Sequence, residues 1–97
     1  MMVNPKNMHQ LSLKIYGRVQ GVYFRHTTKQ TADALGIVGW VKNCPDGCVE
    51  VLAQGDEEKL VAVKKFCERG SEMAKVERIE EVWQDIQEQK FERFEIV

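Results

Sequence analysis

The residues of this chain whose types and spacing suit chemistry lie in one short run, Gly17-Arg18-Val19-Gln20-Gly21-Val22-Tyr23-Phe24-Arg25. Two glycines allow a backbone to take conformations closed to other residues and to approach a ligand with no Cβ in the way. If the run leads into a helix, the free N–H groups of the helix start carry partial positive charge and converge on an anion. Arg25 adds a permanent charge with a planar fork suited to phosphate oxygens. Taken singly, two glycines suit a tight turn and an arginine suits the surface. An arginine in a first helical turn opposes the helix dipole, however, and a bound anion compensates that placement.

Other phosphate chemistries fit the spacing poorly. A cysteine nucleophile six positions before the arginine would fall at Val19, and Cys44, Cys48 and Cys67 lie in other segments. No G-x-x-x-x-G-K-[ST] run occurs, which disfavours nucleotide hydrolysis. His26 follows Arg25, but neighbouring helical residues point in different directions, and a solvated or packing role suits it better. Two separated histidines, no C-x-x-C pair and carboxylates without ligand spacing predict neither a metal nor a cofactor.

The run needs elements to hold it. Leu11, Leu13 and Ile15 alternate with Ser12, Lys14 and Tyr16, a two-faced strand that includes His9 and ends at Gly17. Phe24, Thr28, Thr31, Ala32 and Leu35 then recur at helical spacing, with Gly36 where a C-cap belongs. A strand over 37–43 and another with Val49, Val51 and Ala53 facing opposite to Glu50, Leu52 and Gln54 flank the turn Pro45-Asp46-Gly47 as a hairpin. Asp56, Glu57 and Glu58 start a second helix with Leu60, Val63, Phe66 and Cys67 on one face and Gly70 as its stop. Residues 76–83 give a strand in which Val76 and Ile79 differ in parity, predicting a bulge or a later register, and Phe94 with Ile96 supplies a terminal strand.

The order β-α-β-β-α-β matches an α+β, ferredoxin-like split βαβ sandwich, with two helices on one face of a mostly antiparallel sheet. Residues 1–8 read as a flexible N-terminal tail and 9–97 as one domain, since a chain of 97 residues cannot divide its core between two units. Trp40, Phe66, Trp83 and Phe94 read as core or partly exposed sheet residues.

A net charge of −1 argues against a binder relying on counterion release from nucleic acid, and the third strand lacks the basic and aromatic platform of ferredoxin-like RNA binders. No apolar run is long enough to span a bilayer, and the N-terminal residues lack a signal-peptide core. Three cysteines agree with a reducing, cytoplasmic compartment; Cys44 and Cys48 flank the hairpin turn, where they could face each other and be bridged, but reduced thiols suit the odd count better. The protein is expected to act as a monomer, with partners neither among nucleic acids nor in membranes.

The run Gly17 to Arg25 resembles the acylphosphatase signature G-x-V-Q-G-V-x-F-R. Gly39-Trp40-Val41-Lys42-Asn43, followed by Gly47-Cys48-Val49, resembles that family's second signature, G-aromatic-x-x-N with a downstream G-x-V. The resemblance continues to Phe94-Glu95-Ile96 and departs at Tyr23, a variable position, and at Gly70-Ser71-Glu72, where a proline-bearing connection is common; neither departure is expected to touch the chemistry. It implies the ferredoxin-like fold and hydrolysis of an acyl phosphate to a carboxylate and inorganic phosphate. It also implies that Gln20, Gly21, Val22, Tyr23, Phe24 and Arg25 bind the phosphoryl group, that Arg25 and Asn43 are catalytic, and that Asn43 positions the attacking water. Side-chain chemistry is compatible with both roles: Arg25 stays protonated and stabilises charge, and Asn43, no base, can accept from a water while donating to an oxygen.

Overall fold

The computed structural model describes residues 8–97. Residues 1–7, most of the expected tail, lie outside the described residues, and Met8 opens the first strand opposite Ile86. That strand, β1, spans Met8–Arg18, and its period-two pattern sends Leu11, Leu13 and Ile15 into the core. It continues one residue past Gly17. Helix α1, Phe24–Leu35, buries Phe24, Thr28 and Ala32, and Gly36 ends it with φ 72, a left-handed conformation that costs glycine little.

Strands β2, Val38–Asn43, and β3, Val49–Gly55, form the expected hairpin; Cys44 N–H donates to Cys48 O at 2.9 Å and Gly47 N–H to Cys44 O at 3.1 Å. Helix α2, Glu57–Arg69, buries Leu60, Val63 and Cys67. Strand β4, Lys75–Ile86, is longer than its irregular pattern suggests because β1 pairs with it along its whole length. The sheet order is β4-β1-β3-β2-β5, where β5 is Phe94–Ile96. Neighbours are antiparallel except β2 and β5, which run parallel. This fifth strand extends the β-α-β-β-α-β order. It has only three residues, but Phe94 is fully buried, a contribution of about 1.5–3 kcal/mol, and Gly39 N–H and Val97 N–H add bonds to Arg93 O and Val41 O.

The bulge falls between Val76 and Ile79. Tyr16 faces Arg78 and Gly17 faces Val76, so Glu77 has no partner on β1. A Cβ on Gly17 would lie 2.2 Å from Lys75 O. The approach of β4 therefore excludes a side chain at Gly17, a constraint that comes from a strand distant in sequence.

One residue breaks its strand's alternation. Gln54 shares the strand parity of Glu50 and Leu52, yet it is buried, donating from Nε2 to Gln10 Oε1 and accepting from Lys90 N–H, both at 2.8 Å. The segment between β4 and β5 covers it, and two hydrogen bonds offset the cost of burying the amide.

Candidate active site

The loop joining β1 to α1 is fixed on three sides. Val19 and Val22 are buried in the core. Gln20 Nε2 donates to Cys44 O at 2.8 Å and to Cys48 O at 2.9 Å, fastening the loop to the β2–β3 hairpin. Ser71, buried in the connection after α2, donates from Oγ to Val22 O at 2.6 Å. This contact lies in the Gly70-Ser71-Glu72 connection, and no local pattern announces a bond across 49 residues.

These anchors turn the loop backbone outward. Gly21 has φ 76, and a Cβ there would meet nothing within 4 Å, so its exposed backbone faces open space. Tyr23 has φ 62, the only positive value among the described non-glycine residues, a conformation costing about 1–3 kcal/mol that the surrounding anchors sustain.

The two helix starts differ. At α2 the Asp56 side chain accepts from Lys59 N–H at 3.0 Å, and Glu57 and Glu58 lie in the first turn, satisfying donors and dipole together. At α1, residue Tyr23 occupies the cap with no side-chain hydrogen bond, and the first turn holds no acid. It holds Arg25, half-buried and with no carboxylate partner among the described residues. Arg25 borders a cleft of about 390 Å³ together with Gly21, Tyr23, His26 and Ile96. An exposed helix start and a guanidinium with no carboxylate partner at one opening are the kinds of group that attract an anion. His26 is exposed, as expected of a solvated residue, yet it stands at the rim of this cleft.

Asn43 ends β2 opposite Val49, which also faces Ile15 on β1, so Asn43 lies at the same end of the sheet as the loop. It borders a second hollow with Lys14, Lys42, Asp46 and Glu50, and not the cleft of Arg25; the Gln20 amide joins the loop to the residues just beyond Asn43. Asn43 Oδ1 is buried and has no hydrogen-bond partner among the described residues. An orphaned acceptor costs about 1–3 kcal/mol, a penalty tolerated where a ligand or water completes it.

The thiols are not poised to attack phosphorus. Burial, with a hydrogen bond to Cys44, pushes the Cys48 thiol up to about 12, and burial does the same to Cys67. Both stay protonated near neutrality. The hairpin brings Asp46 to the two facing cysteines: the sulfurs of Cys44 and Cys48 and a carboxylate oxygen of Asp46 lie within 4.8 Å of one another.

A ferredoxin-like sheet whose first helix presents bare amides and an arginine defines a small phosphate-handling α+β protein. The acylphosphatase family profile matches residues 11–96, and the chain belongs to that family. It is 45% identical over 73 residues to an acylphosphatase of Thermococcus kodakarensis, covering 75% of this chain and 80% of that protein. It is 49% identical over 79 residues to one from Nitrosococcus oceani, covering 80% and 89%. The crystal structure of acylphosphatase from Bacillus subtilis superposes with a TM-score of 0.87 at 38% identity, covering 92% of this chain and 98% of that one. The activity is hydrolysis of an acyl phosphate to a carboxylate and inorganic phosphate.

Proposed function

We propose that the backbone amides of Gln20, Gly21, Val22, Tyr23, Phe24 and Arg25, with the Arg25 guanidinium, hold the phosphoryl group, and that Asn43 orients the attacking water. The uncapped start of α1 beside an unpaired arginine carries this reading. Gln20 serves through its backbone alone, because both donors of its side-chain amide are engaged by the hairpin carbonyls.

In the proposed step the water oxygen bonds to phosphorus as the bond from phosphorus to the acyl oxygen breaks. The electron pair leaves on the carboxylate, and a water proton passes to a phosphate oxygen of the substrate. Arg25 and the amides stabilise charge on the equatorial oxygens. Asn43 Oδ1, which has no hydrogen-bond partner among the described residues, accepts from the water.

A carboxylate, with a parent acid near pKa 4, leaves without protonation, whereas an alkoxide requires a general acid. Phosphate release from a synthetic acyl phosphate, in the presence of a chelator, should therefore exceed release from an alkyl phosphate monoester by at least about 10³-fold. Equal rates would overturn the absence of a general acid and assign that role to His26 at the rim. Loss of acyl phosphate hydrolysis with chelator would overturn the metal-free reading.

The protein is read as a cytoplasmic monomer acting on a small molecule, without nucleic acid or membrane partners. Lys14, Lys42 and Arg78 on the open sheet lie near Asp46, Glu50 and Glu80, which supports the absence of a nucleic-acid platform. Charged Glu77, Arg78, Glu80, Glu81 and Asp85 along the edge strand β4 discourage pairing with a second copy. Three free cysteines, two of them buried, support a reducing compartment. No helix among the described residues is long and apolar enough to cross a membrane.

A further inference from the structure

We infer that Cys44, Asp46 and Cys48 form a binding site for one thiophilic d10 cation of the zinc class, apart from the phosphate cleft. The three donor atoms lie within 4.8 Å of one another, close to the span of two zinc–sulfur bonds, about 4.6 Å. A tetrahedral centre draws its sulfurs to about 3.8 Å, a contraction open to half-buried Cys44 and exposed Asp46.

The hairpin preorganises this donor set. Cys44 and Cys48 face each other through the bond from Cys44 N–H to Cys48 O, and Gly47 N–H closes the turn onto Cys44 O. Asp46 Oδ1 accepts from Cys48 N–H at 3.2 Å, which folds its carboxylate back toward the sulfurs. Gln20 holds both cysteine carbonyls, so the chain that carries the donors is braced from outside.

Two sulfurs and one oxygen select a soft or borderline cation over calcium or magnesium, with water as the fourth ligand. Each thiol releases its proton to solvent as its sulfur bonds the metal. Two thiolates and a carboxylate around a dication leave one negative charge, and Lys14 Nζ, 3.7 Å from Asp46 Oδ2, stands beside it. The cation takes no part in the hydrolysis proposed above, and its binding does not depend on that reading.

Titrating the reduced protein with Cd²⁺ tests the site, read by sulfur-to-metal charge-transfer absorption and by thermal melting. The absorption should saturate at one equivalent, yield to competing Zn²⁺, and be accompanied by a higher melting temperature, since the ion binds the folded hairpin. Cys44→Ala and Cys48→Ala should each abolish the one-equivalent signal, and Asp46→Asn should weaken it by about 10-fold or more. Cys67→Ala should keep it, because Cys67 is sealed in the core. If buried Cys48 cannot be replaced without unfolding, the half-exposed Cys44 carries the test. No absorption at one equivalent, or undiminished absorption in Cys44→Ala, would overturn the site.

Discussion

Arg25→Gln is expected to lower kcat by about 10³- to 10⁵-fold, the range over which a positioned arginine stabilises phosphoryl transfer. The same variant should fold at least as well as the parent. Arg25 has no carboxylate partner among the described residues, and its charge opposes the dipole of α1, a term of about 0.3–1 kcal/mol that the substitution relieves. Activity and stability therefore move in opposite directions. Arg25→Lys restores charge without the fork and should recover only part of the rate. Steady-state kinetics beside a thermal melt decide the matter. A folded Arg25→Gln within tenfold of parental kcat would remove Arg25 from the site, and a large loss of stability would make its role structural.

Asn43→Ala carries the second large effect. Without an acceptor to aim the water, kcat should fall by about 10²-fold or more with KM little changed, because phosphoryl binding belongs to the loop. The parent also carries the cost of a buried, unpartnered Oδ1, about 1–3 kcal/mol, which the alanine removes along with the side chain's packing. The melting temperature should hold or rise. A raised KM at unchanged kcat would place Asn43 in substrate binding, and a lowered melting temperature would show that its amide supports the hairpin. In the proposed reading Arg25 and Asn43 both lower stability in favour of activity, the trade expected where strain serves function.

Such strain was partly legible in the sequence. Arg25 at a helix start was visible as a conflict with the dipole, and the alternation of Leu11, Leu13 and Ile15 fixed which side of β1 faces the helices. The unequal parity of Val76 and Ile79 marked the bulge opposite Tyr16 and Gly17. Each of these is a local signal, carried by residues within one element. What escaped depends on distant neighbours. Gln54 is polar and continues an outward pattern, but the segment around Lys90 buries it. Ser71 gives no sign that its hydroxyl reaches Val22, and Gln20 none that its amide faces the hairpin rather than an anion. Asn43 entered only through the resemblance, since a lone asparagine at a strand end has no distinctive spacing; its orphaned oxygen is the physical sign. The facing of Cys44 and Cys48 across the turn was legible from Pro45-Asp46-Gly47, but not that the Asp46 carboxylate folds back to join the two sulfurs.

The most direct test of water attack on a phosphoryl group held at α1 is hydrolysis of a synthetic acyl phosphate in water labelled with heavy oxygen, followed by mass analysis of both products. The label should appear in inorganic phosphate and be absent from the carboxylate. Label in the carboxylate would mean attack at the acyl carbon, contradicting both the orientation of the substrate in the loop and the role of Asn43.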